Sequence, residues 1–249
     1  MLTPEQTARY KRHLLLPEIG GQGQQALLGA SVLVVGAGAL GCGMLPYLAA
    51  AGIGRIGICD GDKVEISNLQ RQVLYRTGDI GRPKASCAAE RLSTLNPDVR
   101  IEAQDCFVTA ENAEALLAPY DLIVEGLDRY APRYVLNSAC LSLGKPLLSA
   151  AIGRFDGQIA LFRPGRGEAP CYACLVPEAP DDEAACEAEG VLGAVPGIVG
   201  AMAAAEAIGW ICGLSEPGKG WLILHDTLRA STRRIVLPRD PACPVCAGA

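Results

Sequence analysis

Asp60, Arg71, Lys84 and Asp128 offer the most chemistry in this 249-residue chain, because of the segments that precede them. The run Val-Leu-Val-Val-Gly-Ala-Gly-Ala-Leu-Gly, Val32 to Gly41, sets Gly36, Gly38 and Gly41 after a short apolar strand. Leu40, Met44, Leu45 and Leu48 continue at helical spacing. A strand, a tight glycine turn and a helix start bring phosphate oxygens up to backbone N–H groups and the positive end of a helix. Asp60 ends the next apolar run, Ile56-Gly-Ile-Cys59, where a carboxylate can hold a ribose. Arg71 and Lys84 lie on segments that should return to the same crevice, and Asp128 stands just past the apolar run Leu122 to Val124. Ligands of open α/β sheets bind at such carboxyl ends. Two cations and a carboxylate beside one phosphate site suit a triphosphate with magnesium better than a lone pyrophosphate. Each residue alone has an ordinary alternative, Arg71 and Lys84 as solvated charges and Asp128 as a helix cap. Their joint placement favours the nucleotide.

The cysteines, eleven in all, fall into three groups. Cys171-Tyr-Ala-Cys174 and Cys243-Pro-Val-Cys246 are C-x-x-C pairs, each able to present two thiolates on a tight turn. Together they complete a closed tetrahedral zinc site that would pin the C-terminus. A redox C-x-x-C usually opens a helix after a strand, and neither pair is predicted to do so. Cys186 lies within Pro177 to Gly190, a stretch with six carboxylates and no basic residue that reads as a mobile, solvated loop. Nearby carboxylates disfavour a thiolate there. Cys42, Cys59, Cys87, Cys106, Cys140 and Cys212 have apolar neighbours and are read as core.

Composition narrows the class. Half the residues are apolar and a fifth charged, so the chain is globular and ordered. A net charge of −5 with no basic stripe argues against nucleic acid as a partner. The start, Met1 to Pro17, is polar and basic, unlike a signal peptide. The apolar stretch Val191 to Leu214 carries Glu206, Pro196 and several glycines, so a buried helix is expected rather than a membrane span. An odd cysteine count without a secretory signal points to a reducing cytoplasm.

The elements that must position these residues alternate. A helix is expected over 3–16, capped by Thr3, with Gly20 to Gly23 as a flexible connector into a second short helix. Past the Asp60 strand come the polar run Ser67-Asn-Leu-Gln-Arg-Gln72, a turn from Gly78 to Pro83, and a helix from Lys84 to Leu95. Strands over 99–104, 122–124 and 147–149, with helices over 110–118 and 132–143, argue for βαβ crossovers and a mainly parallel sheet. Runs at 158–162, 221–224 and 232–237 lack helical crossovers and are expected as antiparallel additions. No repeat or clean linker divides the chain. It reads as a single ATP-binding domain over 1–249: N-terminal helices 1–30, a nucleotide-binding part 31–150, and a partner-binding and zinc part 151–249.

The set Gly36-x-Gly38-x-x-Gly41, Asp60, Ser67-Asn-Leu-Gln-Arg-Gln72, Lys84 and Asp128 resembles the adenylyltransferases that activate ubiquitin-like proteins, most closely the bacterial molybdopterin-synthase and thiamine-pathway enzymes. The likeness runs from Arg9 to Cys246. It implies a Rossmann-like, mainly parallel sheet with antiparallel C-terminal strands and a zinc-pinned C-terminus. By this resemblance Asp60 would hold the ribose of ATP. Asn68, Arg71 and Lys84 would hold its phosphates, Ser67 would also belong to the nucleotide site, and Asp128 would bind magnesium. Arg12 would reach the phosphates from the other subunit of a homodimer, and Cys186 could link covalently to the carrier. Two departures stand out: Ala39 where glycine is frequent, and Arg129 where asparagine usually follows Asp128.

The implied reaction is ATP-dependent adenylylation of the C-terminal carboxylate of a small ubiquitin-like sulfur-carrier protein, foremost the molybdopterin synthase small subunit, with a separate protein as sulfur donor. The thiamine-pathway carrier is the alternative. From other classes, an NAD-dependent oxidoreductase would need a catalytic group, often histidine, and the sequence holds only His13 and His225. A scaffold relative without chemistry is disfavoured by the intact Asp60, Arg71, Lys84 and Asp128 set.

Overall fold

The computed structural model describes residues 1–163, 169–178, 190–215 and 220–247. Its elements run in the order α1 Pro4–Arg9, α2 Lys11–Leu14, α3 Gly20–Gly29, β1 Ser31–Val35, α4 Ala39–Ala51, β2 Arg55–Cys59, α5 Lys84–Leu95 and β3 Arg100–Gln104. They continue with α6 Ala113–Leu117, β4 Leu122–Glu125, α7 Tyr130–Leu143, β5 Leu147–Ile152, β6 Asp156–Phe162, α8 Tyr172–Leu175, α9 Val195–Ile211, β7 Gly220–Asp226 and β8 Ser231–Leu237. Among the described residues the strands form one sheet in the order β3-β2-β1-β4-β5-β6-β7-β8. The first five pair in parallel, and β5 to β8 pair antiparallel as expected. The expected absence of helices between the last strands holds for β5–β6 and β7–β8 but not for β6–β7, which pair antiparallel although α8 and α9 lie between them.

The central strands are apolar throughout because helices cover both faces. Val32, Val34, Ile56 and Ile58 pack into the cluster beneath α4, α5 and α9, while Leu33, Val35 and Ile123 join Leu117, Leu136 and Cys140 on the other side. The apolar stretch near Val191 is the buried helix α9, laid against α4. A methyl group on Gly43 would stand 2.5 Å from the Pro196 carbonyl, and one on Gly200 would stand 2.8 Å from Gly43. Hydrogens alone fit between these two backbones. Among the described residues no helix is long and apolar enough to cross a membrane.

Two N-terminal expectations need correction. The helix expected over 3–16 is broken into α1 and α2 at Tyr10. Tyr10 is 3% exposed; its hydroxyl accepts from Asn96 Nδ2 at 3.0 Å, and its ring lies against Gly52. Burying the ring turns the chain there. Gly20 to Gly23 is no connector, for it forms the first turn of α3. Gly23 is buried between Ile19 and Cys212 of the α9 end, so packing overrides glycine's weak helix propensity.

Candidate active site

The strand order reverses between β1 and β4, whose ends Val35 and Glu125 are in register. In open α/β sheets the ligand crevice lies at such a point. Its first wall is the glycine turn. Gly36 sits at φ 95°, and a methyl group on it would press on the Gly126 carbonyl at 3.0 Å. A methyl group on Gly41 would lie against the Gly36 carbonyl, so the helix start closes tightly on the turn. Gly38 caps α4 and Ala39 opens it. A methyl group on Gly38 would meet only Gln72 Nε2 at 3.8 Å, so this part of the turn faces open space.

Asp60, just past β2, accepts from the Ala37 N–H at 2.7 Å and from the Asp62 N–H at 2.8 Å. Burial raises its carboxyl above the ordinary value, opposed by the Asp62 N–H and the charge on Lys84. The Tyr75 hydroxyl donates to the Ala37 carbonyl at 2.6 Å. Both main-chain polar groups of Ala37 are therefore held by side chains, and the turn is rigid before any ligand arrives.

The cations converge from the other side. Lys84 is the first residue of α5, only 6% exposed, and its ammonium lies 3.0 Å from Asp62 Oδ2. Asp105 accepts from the Ser86 N–H at 3.1 Å and anchors that helix start to the end of β3. Asn68 ends a 3₁₀ turn, Ile66–Asn68, and its Oδ1 accepts from the Glu65 N–H. Arg71 follows, held by one guanidinium nitrogen on the exposed Ser67's carbonyl at 2.9 Å. Gln72 is buried with its Oε1 unpartnered. Gly193 packs against Gln70, so the described chain re-enters beside this turn after the segment holding Cys186. Cys186 itself lies outside the described residues.

Asp128 and Arg129 are exposed on the loop after β4. Sequence reasoning missed what holds this loop, the buried pair Glu125 and Arg133. The signal was available, a glutamate ending an apolar strand and an arginine in the first turn of the next helix.

Arg12 is not brought to this crevice. Tyr10 rests on Gly52, and buried Gln24, bonded to His13 at 3.0 Å, donates to the Ala51 carbonyl. Arg9 reaches the Leu95 carbonyl at the end of α5. These contacts dock α1 and α2 at the C-terminal ends of α4 and α5, whereas the crevice lies at their N-terminal ends. Of the two histidines, His13 is at that far end, and His225 on β7 pairs with Thr232.

Contrary to expectation, Cys171 caps the short helix α8, so the first C-x-x-C pair does open a helix. The four C-x-x-C sulfurs nevertheless converge, all within 4.8 Å of one another. Cys171 lies 4.0 Å from Cys174 and 3.7 Å from Cys243, and Cys174 lies 3.5 Å from Cys246. Tetrahedral zinc with 2.3 Å bonds to sulfur sets neighbouring sulfurs about 3.8 Å apart, which these distances bracket. Burial raises the Cys243 thiol, but the N–H groups of Cys246 and Val245 outweigh it and leave the thiol below its ordinary value. Of the remaining cysteines, Cys42, Cys59, Cys87 and Cys140 are buried as expected, while Cys106 and Cys212 are only partly so. Burial pushes the Cys42 and Cys140 thiols up to about 12.

A family model described as the ThiF family matches residues 10–245. The chain belongs to the ThiF family. Among its relatives, a sulfur carrier protein adenylyltransferase of Thermus thermophilus is 49% identical over 98% of this chain and 92% of that protein. A SAMP-activating enzyme E1 of Haloferax volcanii is 40% identical over 98% of this chain and 90% of its own length. An adenylyltransferase and sulfurtransferase MOCS3 of Anopheles gambiae is 45% identical, and this ThiF chain spans 56% of it. Escherichia coli MccB, solved with ATP, shares the fold at a TM-score of 0.77 and 21% identity, covering 98% of this chain and 82% of MccB.

Proposed function

We propose that this ThiF-family chain uses ATP to adenylylate the C-terminal carboxylate of a small ubiquitin-like sulfur-carrier protein, foremost the small subunit of molybdopterin synthase. The observation that supports this reading is Asp60 and Lys84 meeting beside the glycine turn, with Asp128 on the loop after β4, in a chain so similar to a sulfur carrier protein adenylyltransferase.

A carrier carboxylate is already ionised at neutral pH, so no side chain need act as base. One of its oxygens attacks the α-phosphorus of ATP, the bond to the β-phosphate oxygen breaks, and pyrophosphate leaves with the acyl-adenylate formed. The glycine turn from Gly36 to Gly41 offers N–H groups to the phosphates, and Asp60 faces the ribose. Lys84 must leave Asp62 for a phosphate, a short swing between anions. With Arg71 it offsets the charge that develops on pyrophosphate. Asp128 is a hard, exposed oxygen donor at the crevice rim, which fits magnesium; the ion would supply further charge neutralisation at the phosphates.

The cysteine cluster would hold zinc as a structural ion that ties the C-terminal tail to α8. Reduced thiols of that kind suit a cytoplasmic location. Sulfur for the activated carrier would come from a separate donor protein. Arg12 would serve the partner subunit of a homodimer, a reading supported by its docking at the far end of α4 from its own crevice.

Carrier-dependent exchange between ATP and labelled pyrophosphate tests the proposal. The molybdopterin synthase small subunit should support exchange and the thiamine-pathway carrier should not; the reverse would assign the thiamine pathway. Redox turnover with a dinucleotide, and no exchange with any carrier, would overturn the reading.

A further inference from the structure

The ion pair between Arg133 and Glu125 is buried on both sides, at 6% and 0% side-chain exposure. Glu125 ends β4, in register with Val35 of β1 and Ser149 of β5. Its Oε1 accepts from the Ser149 hydroxyl and lies 3.4 Å from Arg133 Nη1, while its Oε2 accepts from the Leu127 N–H at 2.9 Å. Arg133 Nη2 donates to the Leu127 carbonyl and, at 3.0 Å, to the Ala150 carbonyl. Both main-chain polar groups of Leu127 are thus taken by one side-chain pair.

Leu127 precedes Asp128. Because the peptide unit is planar, fixing the direction of the Leu127 carbonyl also fixes the Asp128 nitrogen and α-carbon. Stability alone is a poor reason for such a pair, since apolar side chains of similar volume often replace buried ion pairs without loss. Both side chains are committed to Leu127, Ser149 and Ala150. What the pair does control is the one peptide that carries the exposed carboxylate.

We infer that Arg133 and Glu125 are positioning residues for Asp128, setting through Leu127 where that carboxylate meets a divalent cation and its phosphates. The inference rests on the nucleotide reading above. Arginine is needed because its planar fork serves Glu125, Leu127 and Ala150 together, which a lysine ammonium cannot do.

The test is Arg133→Lys, which keeps the charge opposite Glu125. Mn2+ binding is read by electron paramagnetic resonance with a non-hydrolysable ATP analogue, and analogue affinity is read separately in chelator. Misplacing a metal ligand through its support typically costs about 10–100-fold. Mn2+ affinity should therefore fall about tenfold or more, while metal-free analogue affinity stays within about twofold. Adding Arg133→Lys to Asp128→Asn should weaken Mn2+ binding no further than Asp128→Asn alone, because both changes remove the same contact. A folded Arg133→Lys protein with wild-type Mn2+ affinity, or additive losses in the double variant, would overturn the inference. If Arg133→Lys lacks a cooperative melt, the neutral pair Glu125→Gln with Arg133→Met is read in its place against the same expectations. Absence of metal-dependent analogue binding in the unsubstituted protein would overturn the nucleotide reading itself, before any substitution is made.

Discussion

Removing the Arg12 side chain separates two arrangements of the active site by magnitude. Within its own chain, Arg12 sits by the C-terminal end of α4 while the glycine turn is at its start, a helix of 13 residues or about 20 Å. Across that distance a unit charge acts on a phosphate with about 0.2 kcal/mol in water, and salt screens it further beyond about 8–10 Å. An own-chain effect of Arg12→Ala should therefore be less than about 1.5-fold in rate. If instead Arg12 touches the phosphates of a partner's site, losing it should resemble the loss of another charge-stabilising donor, about 10²–10³-fold. Carrier-dependent pyrophosphate exchange reads the difference directly. Subunit mixing then sharpens it. Arg12→Ala and Lys84→Ala homodimers should each be nearly inactive, but random exchange makes about half the dimers mixed, each with one intact composite site. About a quarter of wild-type activity should return. A folded Arg12→Ala protein with near-normal exchange, or an inactive mixture with subunit exchange verified, would refute the shared site.

Three further outcomes follow from particular contacts. Freshly purified, reduced protein should contain one zinc per chain; Cys243→Ser should release it and lower Tm by about 5 °C, since each kcal/mol moves the midpoint of a chain this size by about 2–4 °C. Gly200→Ala should destabilise by about 1–3 kcal/mol in denaturant melts, because its methyl group would meet backbone of α4 at 2.8 Å. Glu102, bonded to Arg55 at 2.7 Å and 3.0 Å, has its carboxyl lowered by that guanidinium. A lowered carboxyl stabilises the fold above its unfolded value near pH 4.3 and loses that contribution as pH falls through the folded value. Glu102→Gln should then cost about 1 kcal/mol at pH 7, and the difference from the wild type should shrink in acid melts as the pH falls below about 4.3 and through the lowered folded value.

Much of the fold was legible because its signals are local. The helix Lys84–Leu95 begins and ends where its spacing and the following Asn96-Pro97 predict. The strands at 158–162, 221–224 and 232–237 pair antiparallel as expected, although α9 lies between the first two, so only the β7–β8 pairing follows from a direct connection. The N-terminal region was less legible. Tyr10 breaks the first helix because its ring packs on Gly52 and its hydroxyl accepts from Asn96, both far along the chain. Gly23 is helical because Cys212 closes over it.

The same division applies to the candidate site. The glycine turn and each C-x-x-C pair were legible in the sequence by itself, since turn sterics and pair spacing depend on residues a few places apart. Which groups face one another was decided only by the tertiary structure. Lys84 against Asp62, Tyr75 on the Ala37 carbonyl, and Arg133 clamping Leu127 are contacts between elements. The position of Arg12 is the sharpest case. Its charge is plain in the sequence, but its distance from its own crevice is fixed by Gln24 reaching Ala51 and Tyr10 covering Gly52. Long-range packing, which no local pattern encodes, decides where such a charge can act.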